Sequence, residues 1–160
     1  MPIYMKYDGI NGEVSAEGHK QCIELNSVSW GVGRGISTPT GSGGDRNTTA
    51  PSISEVTVSK PFDGSSVPLF QELLTPGSAK KATLDFVRTD KDKLAVFLSI
   101  ELDDVMVSGY NVSSHGEGQP QETLSLNFTK IIVTETGTDV TGTAGQPNKA
   151  GYDVAGAKPL

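Results

Sequence analysis

The residues able to do chemistry in this sequence are few: two histidines, one cysteine and a scatter of carboxylates. His19 and Cys22 lie close enough in sequence to suggest a metal pair. A zinc centre needs three or four ligands at suitable spacing, however, and no second pair follows. Cys22 alone reads as a small packed or exposed side chain rather than a nucleophile. His115 sits in a polar turn, Ser113–Gln121. The run Gly31-Val32-Gly33-Arg34-Gly35 looks superficially like a phosphate loop. It lacks the G-x-G-x-x-G spacing and no helical pattern follows, so the backbone cradle and helix terminus that hold a phosphate are missing. It reads as glycines at a bend leaving a strand. Asp90, Asp92, Asp103 and Asp104 are turn carboxylates whose default is solvated charge. Asn47-Thr48-Thr49, Asn111-Val112-Ser113 and Asn127-Phe128-Thr129 match the glycosylation pattern, which carries meaning only on a secretory route. These residues predict no catalysis, no cofactor and no metal site.

The elements that would position any site are organised around Val56–Leu74. Val56 and Val58 alternate with Thr57 and Ser59, the period of a strand. Pro61 has no N–H and restricts Lys60, so the ladder should stop there. Asp63-Gly64-Ser65-Ser66 supplies turn and cap chemistry, with a serine side chain expected to accept from the first helical turn and Pro68 tolerated within it. Val67, Phe70, Leu73 and Leu74 then fall at helical spacing and predict one apolar stripe that packs the helix on a sheet. Thr75-Pro76-Gly77 ends the helix.

Strands fill the rest. Ile3–Tyr7 is a first strand, closed by Asp8-Gly9 and Asn11-Gly12. Within Cys22–Trp30 the apolar residues change parity, from Ile23 and Leu25 to Val28 and Trp30, which implies a bulge at Asn26-Ser27. Beyond it Ser27 and Ser29 point away from Val28 and Trp30. Ser37–Ser52 holds one alanine and no larger aliphatic or aromatic residue, so it cannot bury itself. A loop of that length is a contact arm ordered by a partner or a loose connector. Ala82–Phe86 and Leu94–Leu102 read as a hairpin turning at Asp90–Lys93. Asp103-Asp104 breaks the run before a further strand, Val105–Val112. Thr123–Val133 alternates well, and the tail from Thr136 is rich in Gly and Thr, with a small G-Y-D-V island at Gly151–Val154.

The chain has 160 residues, and 35% of them are hydrophobic. That length suits one domain, 1–160, with 37–52 as a long exposed loop and 137–160 as an extended tail. Seven or eight strands and one helix predict a mainly β fold, a closed or nearly closed antiparallel barrel with the helix at its side. Apolar residues on both faces of some strands, such as Val87 and Phe97, suit a barrel also covered outside, by the helix or by another copy. The formal charge of −6 argues against nucleic acid as the main partner. One cysteine forms no internal disulfide, and no segment reads as a secretory signal or a membrane span. Edge strands need pairing or covering, and assembly with further copies would answer that need.

Five short stretches carry a resemblance. They are S-W-G at Ser29–Gly31, V-S-K-P-F-D-G-S-S-V-P-L-F from Val58, L-D-D-V-M-V-S at Leu102–Ser108, E-T-L-S-L-N-F-T-K-I at Glu122–Ile131, and G-Y-D-V at Gly151–Val154. In this order the chain resembles the haemolysin-coregulated protein (Hcp) family of bacterial type VI secretion. Pro61-Phe62 and Tyr152 depart from residues frequent in the family. The resemblance implies a two-sheet barrel, hexameric rings that stack into an inner tube, and effector proteins carried in or on it. It implies a sheath and a tip protein as further partners, cytoplasmic synthesis, and export through the apparatus without a signal peptide. It implies that Ser27 and Ser29 face the channel, although an ordinary exposed strand serine is the plain alternative. It also implies that Thr40, Gly41, Asp45, Arg46 and Asn47 on the long loop meet a neighbouring subunit or ring. A ring that binds effectors as a chaperone without forming tubes is the alternative function. A hydrolase would have only Cys22, His19 and His115 to work with.

Overall fold

The structure is a computed structural model that describes residues 1–41, 46–90, 92–137 and 145–160, with Asp90 given by its backbone alone. In chain order the strands before the helix are β1 (Ile3–Tyr7), β2 (Ile23–Leu25), β3 (Ser27–Ser29), β4 (Val32–Gly33), β5 (Ile36–Ser37), β6 (Asn47–Thr48), β7 (Ser52–Ile53) and β8 (Val56–Pro61). The helix α1 (Ser66–Leu74) follows, then β9 (Lys80–Asp90), β10 (Lys93–Ser113), β11 (Gln121–Asn127), β12 (Lys130–Glu135), β13 (Asn148–Asp153) and β14 (Lys158–Pro159).

All the strand pairings are antiparallel. One ladder runs β2–β1–β9–β10–β12–β13–β14, and a second runs β10–β11–β8–β3. The long β10 belongs to both. Its first part pairs with β9 and β12, and its last part, from Met106, pairs with β11. The switch falls at Asp103-Asp104. The register with β9 shifts between Leu102 and Val105, and Asp104 has φ 53°. The acidic pair therefore does not end a strand, as its polarity suggests. It makes an irregularity that turns one strand from the first ladder into the second.

The change of parity at Asn26 has a similar outcome. It is not a bulge within one strand. β2 pairs with β1, β3 pairs with β8, and the Asn26 N–H donates to the Ser59 carbonyl at 2.7 Å. The apolar set changes parity because the chain crosses between ladders. Among the described residues hydrogen bonding does not close these ladders into the expected barrel: the first ends on β2 and β14, and the second on β3. At the β2–β3 crossing one residue carries the chain between sheets with no shared ladder. The tail also differs from an extended one, since β13 pairs with β12 and β14 with β13.

The core lies between the sheets. Met5, Ile23, Val56, Val58, Leu84, Leu102, Leu124 and Leu126 have no accessible surface. Leu69 joins them from α1 with none either. The packing face of the helix is therefore rotated from the predicted stripe. Leu69 and the half-buried Leu73 face the core, whereas Val67, Phe70 and Leu74 are exposed. Six of the nine side chains are apolar, so periodicity alone does not choose a face. The choice is made by Ser66, which is buried and hydrogen-bonded to groups on β8 and β11.

Candidate functional site

The second sheet carries a face of short hydroxyl side chains. Register aligns Ser27, Ser59, Thr123 and Asn111 on one rung. Ser29, Thr57, Ser125 and Gly109 align on another. The residues between them, Val28, Val58, Leu124 and Tyr110, form the rung that points to the core. This is strand alternation expressed across four strands. The face is knit by its own hydroxyls. Ser27 Oγ lies 2.5 Å from Ser59 Oγ, and Asn26 Nδ2 donates to Gln121 Oε1 at 2.7 Å. At the other end Ser108 Oγ donates to Glu55 Oε2. The two hydroxyl rungs carry no charged side chain.

Sequence reasoning singled out Ser27 and Ser29, and both are exposed on β3. It missed Thr57, Ser59, Thr123 and Ser125. Their alternation with Val56, Val58, Leu124 and Leu126 was visible, but the pairing that joins them into one surface was not.

An arm leaves the sheet after Trp30. β4 pairs with β7 and β5 with β6, so the segment is a two-stranded projection rather than an irregular connector. The Gly31 N–H donates to Ser54 Oγ at 2.8 Å and the Gly35 N–H to Thr49 Oγ1 at 2.9 Å. A Cβ on Gly35 would meet Thr49 Oγ1 at 3.0 Å, so the glycine serves strand contact, not a phosphate. Thr40, Gly41, Arg46 and Asn47 are exposed on the arm, and Asp45 lies outside the described residues.

The junction beneath these elements holds a buried ionic cluster. Lys60 is fully buried, with Nζ 2.9 Å from Asp63 Oδ1, 3.1 Å from Glu122 Oε1 and 3.1 Å from Ser66 Oγ. It also donates to the Pro61 carbonyl at 3.0 Å. Ser66 Oγ donates to Glu122 and accepts from the Asp63 N–H. Burial would raise the Asp63 carboxyl, but hydrogen bonds from Ser65 and Lys60 outweigh it and hold the group below the ordinary range. Burial first, then the Glu122 carboxylate, push the Tyr110 phenol well up. The expected serine cap is not made. Ser65 is the N-cap without a side-chain cap bond, and its N–H instead donates to Asp63 Oδ1 at 2.9 Å. The missed signal is parity: Lys60 continues the inward set Val56 and Val58, and Glu122 precedes Leu124 and Leu126 on the inward side.

The residues considered for catalysis do not assemble a nucleophile and base. Asp85 stands in the middle of its group, with Oδ2 3.2 Å from His19 Nε2 and Oδ1 accepting from Ser99 Oγ at 2.7 Å. A triad needs the histidine between carboxylate and hydroxyl. Cys22 is buried, and burial pushes its thiol up, away from the reactive thiolate. His115 is exposed on the turn between β10 and β11. Among the described residues no three His, Cys, Asp or Glu side chains converge on a metal position. Nor is any helix there long and apolar enough to cross a membrane.

The family described as Type VI secretion system effector, Hcp, matches over residues 4–134. The chain belongs to the Hcp family. A solved structure of a type six secretion system protein is 26% identical, with a TM-score of 0.86 over 99% of each chain. Hcp1 from Salmonella typhimurium is 23% identical, with a TM-score of 0.76 over 99% of this chain and 98% of its own. A type VI secretion system effector from Yersinia pestis is 21% identical, with a TM-score of 0.74 over 95% of this chain and 99% of its own. No curated protein matches. Membership makes this Hcp chain a component of type VI secretion, in a family of secreted tube proteins.

Proposed function

We propose that this chain is a structural subunit of the type VI inner tube. Six copies close into a ring, rings stack, and effector proteins travel inside. The two sheets act as the walls of one barrel in each copy. The two uncharged rungs across β3, β8, β11 and β10, six of whose eight residues carry a hydroxyl, support this reading best. Facing a channel, such a surface offers hydrogen bonds that many proteins satisfy weakly and no fixed charge to trap them. Ser27 and Ser29 are then channel residues on the first strand of that face. Thr40, Gly41, Arg46 and Asn47 sit on an exposed arm able to reach the next ring.

The subunit works by assembly and does no chemistry of its own. Its partners are further copies, the sheath, the tip protein and the effectors, with neither nucleic acid nor lipid bilayer among them. It is made in the bacterial cytoplasm and leaves through the apparatus itself. Light scattering on a sizing column, with negative-stain images of the peak, tests the reading. Six-membered rings with an open centre are expected, and a single-chain mass at high micromolar concentration would overturn it.

A further inference from the structure

The strands of the second ladder keep their own charge on the inner side. Across β3, β8, β11 and the β10 segment Met106–Ser113 the charged residues are Lys60 and Glu122. Both are buried in the ionic cluster and bonded to each other. The outer face therefore takes no cation from its own strands.

One charge reaches that face from just outside the strands. Glu55 immediately precedes β8 and is exposed. Val56 is fully buried in the core, so alternation turns Glu55 outward with Thr57 and Ser59. Its carboxylate oxygen Oε2 accepts from Ser108 Oγ on β10. β8 and β10 are not neighbours, because β11 lies between them. Strands two places apart stand roughly 9.5 Å from each other. Ser108 Oγ also lies 3.2 Å from the Ser125 carbonyl on β11, so the two side chains meet over β11. The carboxylate thus rests on the face itself, beside the rung of Ser29, Thr57, Ser125 and Gly109.

The backbone prepares this position. The register of β10 with β11 shifts between Val107 and Gly109, so Ser108 is the extra residue of a bulge. Val107 still faces the core, and Ser108 stands outward with no ladder partner of its own. Gly109 keeps the space beside it open, since a Cβ there would meet Ser125 Oγ at 3.2 Å. Among the described residues no lysine or arginine pairs with Glu55. The carboxylate is oriented by a neutral hydroxyl, and its charge is left uncompensated.

Resting on the tube reading above, we infer that Glu55 is a specificity residue for cargo: it favours effector proteins that present lysine or arginine to the channel. An ammonium or guanidinium would donate to the carboxylate, and such a charge-assisted bond is stronger than a neutral one. Polar groups around that cation would bond to the neighbouring hydroxyl rungs. An acidic cargo surface would meet a like charge here and no cation from the four strands. Every copy in a ring brings the same carboxylate, and a concave wall of one sign focuses its field on whatever enters. Exposed pairs of this kind are individually weak and screened by salt, so they bias loading without locking the cargo in place.

The test compares the parent protein with full-chain Glu55→Gln and with Glu17→Gln as a charge-matched control. Glu17 is exposed beside the Asp92–Leu94 turn of the first ladder. Dye-labelled Gly-Ser peptides with lysines, with glutamates or without charge serve as probes, read by fluorescence anisotropy at low salt. Light scattering on each sample reports whether rings are present. Parent rings should bind the lysine peptide about fivefold more tightly than the glutamate peptide, and added salt should shrink the difference. Glu55→Gln should abolish most of that preference, whereas Glu17→Gln should keep it. Rings that hold the peptides equally, or hold none of them, would overturn the charge selection while leaving the ring reading intact. So would a Glu17→Gln variant that loses as much as Glu55→Gln. A parent protein without rings would overturn the tube reading, and this inference with it.

Discussion

The same two strands, β8 and β11, present opposite solutions on their two faces. Outward, Ser59 and Thr123 sit on a hydroxyl rung open to solvent. Inward and on the neighbouring rung, Lys60 and Glu122 are 0% and 1% exposed and hold each other at 3.1 Å. A neutral hydroxyl loses little when moved between water and a weak partner, so the outer face tolerates change. A charge in the interior is stable only while its partners remain, because its hydration has been given up. Polar residues on one strand pair thus form an open surface on one side and hold the fold together on the other.

Substitution at the cluster should produce the largest contrast. Lys60→Ala leaves Glu122 and Asp63 without their cation and should cost about 3–5 kcal/mol of stability. Urea melts at neutral pH would read this, and a loss under about 1 kcal/mol would show the cluster to be solvated, in conflict with its burial. Leu69→Ala should cost about 2–5 kcal/mol from the core, while Leu74→Ala in a monomeric background should stay within about 0.5 kcal/mol. Equal losses would mean that the helix uses both faces within a single chain.

Acid should sharpen the contrast further. The Asp63 carboxyl is held below its ordinary range, so its contribution is complete above about pH 4 and is lost as the pH falls through the folded value. Asp63→Asn should remove that part of the acid dependence, read as a smaller drop in urea midpoint between neutral pH and acid. An unchanged drop would place the acid sensitivity elsewhere. The smallest effect belongs to the outer face: Ser27→Ala and Ser29→Ala should move thermal stability by less than about 0.5 kcal/mol. If these faces line the channel, the same variants should alter co-purification of effector proteins.

Much of the strand layout was legible because alternation is a property of neighbouring residues. Val56–Ser59, Ala82–Phe86 and Glu122–Leu126 read correctly as strands for that reason. The break at Asp103-Asp104 and the parity change at Asn26 were visible as irregularities. Their meaning was not, because an irregularity looks the same whether a strand ends, bulges or changes partner. The candidate site was half legible. Ser27 and Ser29 stood out on β3, but their companions on β8 and β11 required the register.

The sequence by itself determined the period of the elements, the one short helix, the polar arm and the scarcity of residues able to do chemistry. Each of these follows from residue types within a few positions of one another. Tertiary structure decided which face of α1 is buried, because Ser66 is oriented by Lys60 and by Glu122, which lies 56 residues away. It also decided that His19 meets Asp85, 66 residues distant, in a geometry without a nucleophile. The physical reason is range. Backbone sterics and side-chain period act along the chain, whereas desolvation and ion pairing act between any groups that the fold brings within a few ångströms.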